Sequence, residues 1–225
     1  MILDLRKHHN VLFDLTEALC NSTTTNEWYS LYNNTYTEAL NQIGYPRFEN
    51  KRIINNTTEY EVSIPSFAEV FLGCIIGSKK IPTQQEYGDI FLKNALESNH
   101  RLNQHEEALL SRAKRAYISI LREVLFNLYV FTNRFDVYNV YNPNLDYQDI
   151  DALIIKNGVY YGVRLYIDTQ RGLSNRKHKT QKPKFNNVLY IDFPLHLGDN
   201  KNKIIGDLEL YSEQLIDELI ETLGR

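Results

Sequence analysis

Along this chain the spacing of hydrophobic positions changes near residue 135. Before that point apolar residues recur at three- and four-residue steps, as on one face of a helix. After it they alternate or run in short blocks, as strands do. Ile2, Leu5, Leu12, Leu15 and Leu19 form a stripe for one or two short helices. Asn26 caps a helix that begins at Glu27-Trp28-Tyr29 and reaches about Ile43, where Gly44-Tyr45-Pro46 stops it. Residues 47–62 are polar and rich in Asn and Thr, the composition of a surface loop or short hairpin. Pro65 then opens the apolar segment SFAEVFLGCIIG, read as a buried helix ended by Gly77. Thr83 and Glu86 have capping-box spacing ahead of a helix carrying Tyr87, Ile90, Phe91 and Leu96.

The longest helical pattern runs from Gln104 to about Phe131, with Leu109, Ala113, Ala116, Ile120 and Val124 on its stripe. Glu123 falls at the border of that stripe, either paired with an arginine or part of a site. Three strands follow: one around Phe135, Val137 and Val140, one over 150–156 and one over 159–169. Between the last two, Asn157-Gly158 marks a tight hairpin, because both turn positions require positive φ. Counting outward from this turn sets Asp151 opposite Arg164, with Asp168 four residues further along. Val188-Leu189-Tyr190-Ile191 reads as a short buried strand that Pro194 ends, and residues 208–223 as a closing amphipathic helix. Apolar residues thin out at 98–103. This divides the chain into a helical region over 1–100, for target recognition or oligomer contacts, and a mixed core over 101–225. The fold class is α+β (α/β).

Composition narrows the chemistry. The chain has 225 residues, 43% of them hydrophobic, and a net charge of −3, so it is no generally basic nucleic-acid binder. Attraction to phosphate has to come from local clustering. One cluster stands out: residues 170–184 hold Arg171, Arg176, Lys177, Lys179, Lys182 and Lys184 with no acidic residue among them. Two cysteines, Cys20 and Cys74, make neither a disulfide framework nor a four-cysteine zinc site, which points to a reducing cytoplasmic setting. Cys74 reads as a core thiol. No apolar run approaches the roughly 18 residues of a membrane span, and charges near the N-terminus argue against a signal peptide. Phosphate-cradling glycine loops and Gly-x-Ser-x-Gly turns are absent from the sequence.

The order of long helix, three strands with a tight hairpin, basic segment and further strand resembles the core of the PD-(D/E)XK, or restriction-endonuclease-like, nucleases. The likeness covers roughly residues 104–195. It implies a mixed sheet flanked by helices and a divalent metal site. In that superfamily an aspartate at the start of the second strand binds the metal, and the third strand carries an acid followed two residues later by a lysine. Residues i and i+2 of a strand share a face, so acid and lysine enter one cleft. The metal polarises the phosphate and helps to generate hydroxide, and the lysine orients or activates the water.

Carried onto this chain, the likeness assigns the metal-binding aspartate to Asp151, with Asp149 and Asp146 as weaker candidates. Two placements of the acid-x-lysine motif are possible. Arg164-Leu165-Tyr166 at that place would abolish the metal site. Asp168-Thr169-Gln170 would keep an acid and put glutamine for lysine, and is preferred because it retains the pair Asp151 and Asp168. A migrated lysine would then be Lys177 or Lys179, and Glu123 would be the helix-borne acid added to the metal shell. Arg115 or Arg122 would steady a phosphate. The resemblance thus implies a Mg²⁺- or Mn²⁺-dependent endonuclease acting on double-stranded DNA, of restriction or mobile-element type, possible as a homodimer. The alternative is a degenerate nuclease-like module that binds nucleic acid or a partner protein.

Overall fold

A computed structural model describes residues 36–44, 46–47, 64–99, 102, 105–140, 145, 149–169, 185 and 187–224. The helices expected before residue 36, the loop at 47–62 beyond Arg47, and the basic segment 170–184 lie outside these residues. Among the described residues there are five helices and six strands in an α+β arrangement. In chain order they are α1 (Tyr36–Gln42), α2 (Phe67–Ser78), α3 (Gln84–Ser98), α4 (Glu106–Asn133), β1 (Tyr138–Val140), β2 (Ala152–Lys156), β3 (Val159–Ile167), β4 (Val188–Leu195), β5 (Lys203–Ile205), β6 (Leu208–Leu210) and α5 (Glu213–Thr222). They fall into two compact units. One holds 36–128 with Lys203–Tyr211; the other holds Tyr129–Asn202 with 212–224, so the division crosses α4.

The helical unit is built on capped helices and an aromatic core. Ser66 caps α2 by accepting from the Glu69 N–H, and Lys79 ends it in the left-handed conformation at φ 58. Gly77 therefore stays inside the helix, and the stop lies two residues beyond the expected one. Thr83 and Glu86 complete the expected capping box on α3, with Thr83 N–H donating to Glu86 Oε2 at 2.7 Å. Inside, Phe71, Tyr87, Phe91 and Tyr117 are fully buried. Phe71 lies 5.5 Å from Tyr87 and 5.6 Å from Tyr117, ring centre to ring centre. Each such side chain stabilises by roughly 1.5–3 kcal/mol through burial, provided its polar end is satisfied. Both hydroxyls are: Tyr87 donates to the Phe67 carbonyl and Tyr117 to that of Pro82. Cys74 is a core thiol whose pKa burial pushes up to about 11.

The sheet unit has strand order β1-β2-β3-β4, antiparallel except for the parallel pair β3–β4. The hairpin forms as the turn chemistry dictates, with Asn157 at φ 52 and Gly158 at φ 79. Leu145, Ile150, Leu153, Tyr160 and Val188 make the core on one face. Gly162 sits among them because there is no space for more: a Cβ there would lie 2.9 Å from Val188 Cγ1 and 3.0 Å from Ile150 Cγ1.

Two expectations for the C-terminal third are corrected. β4 does not stop before Pro194 but continues to Leu195. Among the described residues β4 is an edge strand, and the Leu195 carbonyl points to β3, where it accepts from Asp168 N–H. Pro194, one residue earlier, therefore turns its nitrogen outward, where a missing donor disrupts no ladder bond. The closing helix begins at Glu213, not 208, because Leu208–Leu210 pairs with Lys203–Ile205 in a hairpin turned at Gly206 (φ 59). Ser212 then caps α5 by accepting from the Leu215 N–H.

Candidate functional site

The residues that matter lie on the core-bearing face of the sheet, at the end of that core. Ala152 pairs with Val163, so Asp151, one position out, stands across from Arg164, and its N–H donates to the Val163 carbonyl at 3.0 Å. On the other side Arg164 is in register with Asp192 of β4. Cross-strand partners share a face, which gives a row Asp151, Arg164, Asp192 across three strands.

Arg164 is the centre of this row and is only 7% exposed. Its Nη1 lies 3.4 Å from Asp149 Oδ2, and its Nε lies 2.9 Å from Asp192 Oδ1. The second contact is an ion pair bent away from the N–H direction, since Nε has no aligned acceptor. The guanidinium also stacks over the Tyr190 ring, 5.3 Å from its centre. Burial pushes the Tyr190 phenol up, and its oxygen accepts from the Phe185 N–H at 3.0 Å. Asp149 is buried in the left-handed conformation, φ 59, which an aspartate tolerates better than most side chains. The Asp151 carboxylate turns back on the hairpin, where Oδ2 accepts from the Leu165 N–H at 2.6 Å.

Asp168 is the first residue after β3 and is exposed. Its Oδ2 lies 2.9 Å from His196 Nδ1. Four residues of strand separate it from Arg164, about 13 Å at 3.3 Å per residue. Two ligands of one hard cation, each at roughly 2–2.6 Å, lie within about 5 Å of each other. Asp151 and Asp168 are therefore not brought together. A divalent ion does not fit the acids present: Asp149 and Asp192 face a guanidinium, Asp151 a backbone amide and Asp168 an imidazole. Among the described residues no group of three or more His, Cys, Asp or Glu side chains is arranged to hold a metal.

Glu123 is half-buried on the part of α4 that belongs to the helical unit. Its neighbour Arg122 is buried there and donates Nε to the Glu209 carbonyl at 2.9 Å. Desolvation lowers the pKa of that guanidinium to about 10. Arg115 donates to Ser111 Oγ at 2.7 Å. Gln170, Arg171, Arg176, Lys177, Lys179, Lys182 and Lys184 lie outside the described residues, in the connection between β3 and β4.

Sequence reasoning passes over Asp192 and Tyr190. The signal is present: β4 alternates, and Tyr190, Asp192 and Pro194 share the face opposite to Leu189, Ile191 and Phe193. Compared with protein-family models, with curated proteins and with solved structures, the chain matches none.

Proposed function

We propose that this chain is a nucleic-acid-binding module on a nuclease-like strand order, one that binds without metal-dependent hydrolysis. The observation that carries the reading is the position of Arg164. Where the resemblance requires a second metal-binding acid, across the hairpin from Asp151, a guanidinium faces Asp149 and Asp192. An arginine there supplies the positive charge that a metal ion would otherwise supply, and it is covalently fixed. The six cations between 170 and 184, on the connection that leaves the end of β3, support contact with phosphates.

The competing reading, a Mg²⁺- or Mn²⁺-dependent endonuclease, needs Asp151 and Asp168 on one ion, and their register works against it. Both readings are tested by one set of measurements. Fluorescence anisotropy with labelled duplex DNA, single-stranded DNA and RNA should show binding that weakens with salt. Replacing Lys177, Lys179 and Lys182 together by alanine should lower affinity. It should also flatten the salt dependence, the log–log slope falling by about 0.9 for each duplex phosphate no longer neutralised. Incubation with Mg²⁺ or Mn²⁺ should leave these substrates intact. Cleavage that Asp151→Ala or Asp168→Ala abolishes would overturn the binding-module reading in favour of the nuclease.

A further inference from the structure

The β2–β3 turn holds a side-chain amide and a neighbouring backbone nitrogen in open water. Asn157-Gly158 is the one Asn-Gly step in the chain. Both residues are exposed, at φ 52 and φ 79, and the ladder closes behind them at Lys156 and Val159. Gly158 has no Cβ to shield its nitrogen, and nothing lies within 4 Å of where one would stand. Other asparagine amides are committed to partners. Asn127, Asn133 and Asn202 donate Nδ2 to the carbonyls of Glu123, Tyr129 and His196 at 2.8, 3.2 and 2.7 Å. Among the described residues no such bond holds the Asn157 side chain.

We propose that Asn157 is a self-modifying site, converted through a cyclic imide with Gly158 to isoaspartate. The Gly158 nitrogen bonds to Asn157 Cγ, the Cγ–Nδ2 bond breaks, and the nitrogen's proton leaves with the amide as ammonia. Water then opens the imide. Opening at the Cγ carbonyl leaves aspartate. Opening at the backbone carbonyl leaves isoaspartate, and the chain then runs through its Cβ and Cγ. Water is the only co-reactant. Isoaspartate puts one more carbon into the backbone of a two-residue turn, whose closure depends on a pair of positive φ angles. The register that brings Asp151 across from Arg164 is counted from that turn and loses its origin. Lys156, next to the turn, donates Nζ to the Ile220 carbonyl on α5 at 2.7 Å, so the change reaches that contact as well.

The test ages the full chain for weeks in mildly alkaline buffer, beside Asn157→Gly, which keeps a favoured turn pair and cannot form the imide. Peptide mass mapping and an isoaspartate-specific methyltransferase read the product. Asn157 should convert before any other asparagine in the chain, and Asn157→Gly should give no isoaspartate at this position. Aged wild-type protein should also melt at a lower temperature than fresh protein, a loss that Asn157→Gly should not show. The same chain held unfolded in urea supplies a reference rate. Conversion in urea with none in the folded protein would overturn the proposal, because the hairpin would then withhold the geometry the imide needs. Conversion in the folded protein with an unchanged melt would overturn the stated effect on the turn.

Discussion

Arg164 faces Asp151 across the β2–β3 hairpin and meets Asp192 on the neighbouring strand. The arginine is thus enclosed by carboxylates from both sides of its own strand. Removing one partner of a buried ion pair costs more than the pair contributes, because the remaining charge stays buried. Asp149 is 3% exposed at its side chain, whereas Asp192 is 43% exposed and regains water. Arg164→Met should therefore destabilise by about 3 kcal/mol, the lower end for buried pairs. Adding Asp149→Asn should recover part of that stability. Urea denaturation of the two variants checks both; equal stability of Arg164→Met and wild type would show the cluster to be energetically idle.

Gly162 tests the packing of the same face. An alanine methyl would press on the branched side chains of Val188 and Ile150, both buried in the core of this face. Overpacking of this kind costs about 1–3 kcal/mol. Thermal melts of Gly162→Ala should show a clear drop, and Gly73→Ala, where a Cβ meets nothing within 4 Å, should show none.

The capping box of α3 makes a pH-dependent contribution. The Thr83 backbone N–H, and after it the Thr83 hydroxyl, hold the Glu86 carboxyl below its ordinary value of 4.5. A carboxyl with a lowered folded pKa stabilises above its unfolded value, and that contribution is lost as pH falls through the folded value. Glu86→Gln should therefore lower stability at neutral pH, flatten the acid limb below about pH 4.5, and differ least from wild type at pH 3. Thr83→Ala should cost about 1 kcal/mol at pH 7. Denaturation series at pH 3 to 7 read both.

Tyr129 reports on the junction between the end of α4 and α5. Burial first, then the hydrogen bond to Asp217, raises its phenol to about 12; the hydroxyl lies 2.9 Å from Asp217 Oδ2. A phenol raised in the folded state stabilises fully below its unfolded value near 10, and this is lost as pH climbs through 12. Tyr129→Phe should cost about 1 kcal/mol at neutral pH, the net worth of one hydrogen bond. An ultraviolet titration should lose one late-ionising phenol. A titration indistinguishable from wild type would place Tyr129 outside this contact.

Local chemistry is readable from the residues alone. Asn157-Gly158 specifies the hairpin and its register, and Thr83 with Glu86 specifies a helix start, because each depends on neighbours within a few positions. What the order of residues leaves open depends on partners far along the chain. Arg164 meets Asp149 and Asp192, 15 and 28 positions away, and only the strand order β2-β3-β4 makes them neighbours. Leu208-Glu209-Leu210 fits a helix stripe as well as a strand, and pairing with Lys203–Ile205 decides between them. Apolar thinning at 98–103 suggests a division there, whereas the compact units divide within α4, whose stripe gives no sign of a change of company. Pro194 reads as a stop because the rule against proline applies to interior strands, and edge position is a property of the sheet.

That proline has a consequence for how copies of the protein behave together. Among the described residues no strand pairs with the outer side of β4, the rail along which a further strand would add. Tyr190, Asp192 and Pro194 point their backbone nitrogens toward it, and one of these three has no hydrogen to offer. Asp192 also puts a charge beside the gap. A strand docking there would lose a rung and come close to a carboxylate, so the sheet carries its own terminator on this side. The protein can therefore be concentrated with less risk that its sheets extend into fibres along this strand.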